Sequence, residues 1–319
     1  MAEREYMHIG TLEVDRMVGA GVGPFTQGRK FFVDPVNGSD GNHGTSPTHA
    51  KKTLAAAEDV CTTGKNDTVY FLATTSGDTQ TSILIWDKSY THLVGVCATA
   101  AESHRARVFS PNSATAGYSP MVTFSGQGCV VKNMTFKQQS YHADSHQCCQ
   151  VTGGRNLFEN VHFAGMLHAT PAGDTSGAAL YLSGAEENLF KNCVIGQDTI
   201  QSTAANAQLV LHTTRNNRNK FEGCFFYNNA GATSLWVAIG AEGIGGYLWL
   251  KDCTFLNKGT TMTVGMTVGA NTGGVVLLDN PLWHGATNLH ADNNAVIVGR
   301  APALHTGDQG IAAVYDSTP

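Results

Sequence analysis

The sequence predicts an all-β fold: a single right-handed parallel β-helix, a solenoid of stacked coils of about thirty residues each. Three observations predict it. A short β-rich phrase returns six times at nearly constant spacing, and its equivalent positions align into chemically consistent columns. The composition suits short strands and tight turns, with 36 glycines in 319 residues and only 14% charged residues. Two average domains would fit this length, but repeat folds run as long in one unit.

In chain order, residues 1–30 form an arm outside the repeat, with an alternating Ile9-Gly-Thr-Leu-Glu-Val-Asp15 stretch followed by Gly19-Ala-Gly-Val-Gly-Pro-Phe25. Two readings stand for it: docking to a larger particle, or packing as a strand along its own solenoid. Residues 31–65 supply an N-terminal strand and a short helix at 51–61, expected to cap the open solenoid end and cover its strand edges. Less regular first coils follow at 68–73, 82–86, 92–97 and 107–110.

The regular coils lie within a solenoid spanning 66–299, with a tail at 300–319. The phrase reads Val131-Lys-Asn-Met-Thr-Phe136, Phe158-Glu-Asn-Val-His-Phe163, Phe190-Lys-Asn-Cys-Val-Ile195, Phe221-Glu-Gly-Cys-Phe-Phe226, Leu250-Lys-Asp-Cys-Thr-Phe255 and Leu278-Asp-Asn-Pro-Leu-Trp283. Its first positions are 27, 32, 31, 29 and 28 residues apart. A second phrase precedes each copy: Met121–Gly126, Cys149–Gly153, Leu180–Gly184, Leu209–His212, Trp236–Gly240 and Met266–Gly269, with Ala295-Val-Ile-Val-Gly299 beginning a seventh. No crossover helix fits in such a period, so each coil wraps once and stacks about 4.8 Å from the last.

Stacking makes columns. Val131, Phe158, Phe190, Phe221, Leu250 and Leu278 form one interior apolar column; Phe136, Phe163, Ile195, Phe226, Phe255 and Trp283 form another. Asn133, Asn160, Asn192, Gly223, Asp252 and Asn280 hold a turn position where left-handed backbone and amide ladders are expected. Lys132, Glu159, Lys191, Glu222, Lys251 and Asp279 alternate in sign, as outward neighbours on parallel strands should. Glu159 and Glu222 are therefore read as members of a surface salt ladder rather than as catalysts.

The stretch Asn37-Gly-Ser-Asp-Gly-Asn-His-Gly-Thr-Ser-Pro47 with Lys52-Thr-Leu54 resembles the opening of pectate-lyase-like right-handed β-helix proteins, and the likeness spans residues 31–299. It implies an architecture. That superfamily holds lyases, hydrolases, phage tailspikes and non-catalytic virion proteins, and fold does not choose among them. The acidic calcium cluster of pectate lyases has no recognisable counterpart here, and the Asp-Asp and Gly-His-Gly signatures of polygalacturonases are missing.

A net charge of -5 without a Lys/Arg cluster argues against nucleic acid as partner. No apolar run reaches a membrane span, and no signal peptide is expected. Cys193, Cys224 and Cys253 share one repeat position among apolar residues, so buried free thiols are expected, as in a reducing cytosol; Cys148 and Cys149 leave room for other chemistry.

Insertions at 137–147, 164–177, 196–207 and 227–234 fall at one corner. There Asp144, Asp174 and Asp198 with His142, His146 and His168 are the candidate acid–base constellation, against the ordinary reading of solvated loop groups. His142, His146, Cys148 and Cys149 have zinc-ligand chemistry, but not the spacing of a closed site, so no metal or other cofactor is expected. Trp236, Trp249 and Trp283 are sugar-stacking candidates if exposed, core or subunit contacts otherwise.

The expected function is a structural phage virion protein, made in the host cytoplasm and decorating or projecting from capsid or tail. Its expected partners are capsid or tail proteins and other copies of itself, and resemblance to virion β-helices implies a homotrimer. A polysaccharide-degrading β-helix enzyme and a non-catalytic carbohydrate-binding protein are the alternatives, each with a surface glycan as partner.

Overall fold

The computed structural model describes residues 28–98, 100–115, 117–270, 272–290 and, as backbone, 296–300. Most of the predicted arm and tail lies outside the described residues. The remainder is a parallel β-solenoid of about seven turns. Its strands form three parallel sheets that the chain visits in rotation, with ten, eight and eight strands among the described residues. Sheet one runs from Lys30–Val33 to Val296–Arg300, sheet two from Asp78–Thr79 to Leu282–His284, and sheet three from Leu84–Trp86 to Ala286–His290.

The two apolar columns face inward as predicted. Phe158, Phe190 and Phe221 are fully buried and lie face to face, with centroids 4.8 and 4.4 Å apart and planes within 5°. Phe226 and Phe255 repeat the arrangement at 4.7 Å. Burying each such ring contributes about 1.5–3 kcal/mol. Trp283, at the end of its column, is only partly buried.

Between sheets one and two the chain turns through a single left-handed residue. Asn133, Asn160, Asn192, Gly223, Asp252 and Asn280 have φ between 51° and 63°. Most L-residues resist this conformation, whereas Asn and Asp tolerate it and Gly adopts it freely. The side chains make only fragments of a ladder: Asn160 Nδ2 donates to Asn133 Oδ1 at 3.4 Å and Asn280 Nδ2 to Asp252 Oδ1 at 2.9 Å. Gly223 interrupts the series.

A stronger ladder, which the sequence reading missed, lies inside. Asn156, Asn188 and Asn219 are buried at the turn from sheet three into sheet one. Asn188 Oδ1 accepts from Asn156 N at 2.9 Å, and Asn188 Nδ2 donates to Gly153 O and Asn219 Oδ1, both at 3.1 Å. Each bend thereby supplies backbone groups of its neighbours with partners they would otherwise lack. The signal was an Asn two residues before each column Phe.

The capping helix is shorter than predicted, α1 at Leu54–Asp59, with Thr53 Oγ1 accepting from Ala56 N. Asp78, from the first strand of sheet two, accepts from Leu54 N at 2.7 Å and ties the cap to the solenoid. At the other end one assignment needs correction. The segment read as the seventh copy of the second phrase, 295–299, instead supplies Val296–Arg300 to sheet one, with Leu278 opposite Gly299. The last coil is short because Gly285 alone joins sheet two to sheet three, where earlier coils carry insertions; sheet three is continued by Ala286–His290.

Candidate functional site

The charged column emerges in the predicted register, with Glu159 opposite Lys132 and Lys191, and Glu222 opposite Lys191 and Lys251. Ion pairs join Lys132 to Glu159 at 2.6 Å and Lys251 to Glu222 at 3.1 Å. Lys220 also reaches Glu222 at 2.7 Å, and the two lysines, Lys220 foremost, hold that carboxyl down at about 2.

The four insertions leave sheet two at its junction with sheet three, as predicted, and one contains a one-turn helix, α2 at Ala169–Ala172. The loop candidates there meet in pairs rather than as one constellation. His146 Nε2 stands 3.7 Å from Asp174 Oδ2, and Asp174 Oδ1 accepts from Ser176 N. His142 Nδ1 accepts from Asp144 N at 3.1 Å. His168 Nδ1 accepts from Thr170 N to cap α2, and its ring lies 5.1 Å from that of Tyr141. The bonds at His142, His168 and Asp174 Oδ1 are the local turn and cap bonds typical of surface loops, while His146–Asp174 and Tyr141–His168 join one insertion to the next.

Beneath these loops Cys148 and Cys149 are both fully buried, with sulfurs 4.0 Å apart, and burial pushes the Cys149 thiol well above its ordinary range. All eight cysteines are free thiols. No group of three or more His, Cys, Asp or Glu side chains among the described residues is disposed to hold a metal ion. Trp236 is wholly buried, donating from Nε1 to Leu256 O, while Trp249 lies half-exposed under the Lys220 ammonium, 4.4 Å from its ring centroid.

Asp198 has different company. It lies on the outer side of sheet two, where Tyr227 Oη donates to it at 2.9 Å and Lys258 Nζ at 3.0 Å. Lys258 and then Tyr227 hold its carboxyl below the usual carboxylate range, while burial and Asp198 push the Tyr227 phenol up to about 12. The loop before Arg107–Phe109, at the opposite corner from the four insertions, folds over the same face. It brings Glu102, whose carboxyl is raised by burial and by the charge of Asp198.

The same loop donates from Ser103 N to His162 Nδ1 at 3.0 Å, and Lys137 Nζ donates to Ser103 Oγ at 3.2 Å. His162 Nε2 bonds Gly196 O at 2.9 Å, so the ring is neutral with its proton on Nε2, and burial lowers its pKa to about 4. Burial and then the guanidinium groups of Arg107 and Arg105 lower the Lys137 ammonium. The sequence reading found only Asp198 in this group. Tyr227 and Lys258 lie 29 and 60 residues beyond it, one and two coil periods, a spacing that could have found them.

Chemically, this face presents one carboxyl held below its usual range by an ammonium and a phenol and, on the overlying loop, an exposed second carboxyl raised by partial burial and by the charge of the first. Carboxyls pushed apart in this way are suited to separate acid and base roles.

No protein-family model matches the sequence, and no curated protein matches it. Solved structures do share its fold. A rhamnogalacturonan lyase superposes with a TM-score of 0.59 at 14% identity over 85% of this chain and 73% of its own. The pectate lyase Pel9A superposes with a TM-score of 0.55 at 14% identity over 79% of this chain, which spans 63% of the lyase. ORF18 of Geobacillus virus E2 aligns with a TM-score of 0.42 at 14% identity over 78% of this chain and 58% of its own. At such identities the likeness is one of architecture: the chain is a right-handed parallel β-helix, the fold these two lyases also have.

Proposed function

We propose that this chain is a structural protein of a phage virion, a rigid β-helical rod carried on capsid or tail as an oligomer of itself. The observation that carries the reading is that its prominent charges serve the rod. Lys132, Glu159, Glu222 and Lys251 tie coil to coil, and His168, Asp174 and His142 complete local turns. Lys30 already belongs to sheet one and Arg29 N donates to Asp67 Oδ1, so the predicted arm before them is the segment assigned to docking. Cryo-EM of particles assembled where this chain is expressed tests the proposal. Elongated solenoids at symmetry-related positions would support it, and intact particles without them would overturn it.

The second reading, a polysaccharide-degrading enzyme, is favoured by one observation: the unlike environments of Asp198 and Glu102 on the outer face of sheet two. Its test is release of new chain ends from host-surface glycans. Asp198→Asn and Glu102→Gln should each abolish release while the fold is kept; no release by the unaltered chain from any glycan of the host surface would remove this reading.

A further inference from the structure

The outer face of sheet one carries three parallel columns. Leu157, Leu189, Lys220, Trp249 and Leu277 stand in register down its centre, each half-exposed. Two residues later on the first three strands come Glu159, Lys191 and Glu222. Two residues earlier, at the left-handed turn opening each of those strands, come Arg155, Glu187 and Arg218. This flank is also an alternating ladder, with Arg155 Nε 2.8 Å and Arg218 Nη2 2.7 Å from Glu187.

The two flanks are opposite in sign on every one of these strands: Arg155 with Glu159, Glu187 with Lys191, Arg218 with Glu222. A two-fold axis lying in this face, parallel to the solenoid axis, exchanges the flanks without changing height. Each of these six flanking charges would then meet its opposite, while Lys220, on the axis, would meet its own copy with its ammonium already paired to Glu222 and seated over Trp249. We propose that the outer face of sheet one is a docking surface for a second copy of this chain, joined side by side in a parallel two-fold dimer.

In that dimer Glu187 faces Lys191 of the second copy, Arg155 faces its Glu159, Arg218 faces its Glu222, and the central columns meet. The in-chain ion pairs hold the flanking side chains in place before docking, so less freedom is lost on association. Lys191, exposed and without an ion pair among the described residues, gains one. The nine strands of sheet one whose side chains are described, at about 4.8 Å, each presenting about five residues at 3.3 Å, give a face of roughly 710 Å². A standard interface buries about 800 Å² per partner. The pairing holds whether or not the chain is carried on a particle, and it departs from the homotrimer that resemblance to virion β-helices implies.

Sedimentation of the full chain is the test. The unaltered chain should sediment as a dimer. Lys191→Glu sets Glu against Glu and Glu187→Lys sets Lys against Lys across the interface, so each alone should weaken self-association ~tenfold or more. An equimolar mixture of the two variants should restore the dimer, because each reversed charge then meets the other. In an antiparallel dimer Lys191 would face Glu222 and Glu187 would face Arg218, and mixing would restore nothing. A monomeric or trimeric unaltered chain, variants that associate normally, or a mixture without rescue would each overturn the proposal. Far-UV circular dichroism checks folding; if a reversal fails to fold, Leu189→Ser replaces it, and an unweakened dimer is then the overturning result.

Discussion

Replacing Asn188 with Ala cuts the buried ladder at its middle rung. The side chain is buried and makes three hydrogen bonds: one from Asn156 N, one to Gly153 O and one to Asn219 Oδ1. Each contributes about 1 kcal/mol net, and leaving the Asn156 amide buried without an acceptor adds about 1 more. The expected loss is therefore about 4 kcal/mol, a large part of the ~5–15 kcal/mol of a typical fold. Denaturant unfolding, followed by tryptophan fluorescence and by far-UV circular dichroism, measures it and shows whether the coils still unfold together. Hydrogen exchange should also show lost protection at the Asn156 amide. Asn160→Gly is the control: φ is 53° and its one ladder bond is 3.4 Å long, so the change should stay within about 1 kcal/mol. A loss below about 1 kcal/mol for Asn188→Ala would refute the view that the ladder holds the turns.

Two further outcomes are expected. Cys97 is the half-buried thiol and the other seven are buried, so in the native chain a thiol reagent should label Cys97 rapidly and the rest only on unfolding; Cys97→Ser should remove the fast phase, and several fast thiols would contradict this packing. Burial lowers His162 to about 4, against about 6.5 in an unfolded chain, so its contribution is complete above pH 6.5 and is lost as pH falls from 6.5 through 4. The stability gap between the unaltered chain and His162→Gln should shrink across that window, and a constant gap would refute the assignment.

The sequence made the repeat legible because stacking forces one chemical choice per column. Phe190 can be read beside Phe158 and Phe221, and Glu222 between two lysines, without coordinates. The Asn156 ladder carried the same kind of signal, but it lay two residues before the phrase and was not aligned with it. The final strand was misassigned because the last coil replaces an insertion with Gly285 alone, and a shortened period removes the ruler. Beyond the first residues of each insertion, where Asp198, Tyr227 and Lys258 still follow the coil period, the loops carry none. Nothing in the spacing of Asp144, Asp174 and Asp198 says that two serve local turns while the third pairs with Tyr227 and Lys258.

The sequence by itself determined the architecture, the interior columns, the left-handed bends and the corner where the insertions leave, because each follows from a period of one coil and a side-chain alternation of two. Only the tertiary structure decided which loops fold over which face: that residues 100–105 close over sheet two beside Asp198, that Cys148 and Cys149 lie buried, and that Arg155, Glu187 and Arg218 flank sheet one. The loop placement depends on contacts between segments whose own sequences do not repeat, so no column exists from which to read it; Cys149 and the Arg155, Glu187 and Arg218 flank do lie at the coil period, but their neighbours in space had to be seen.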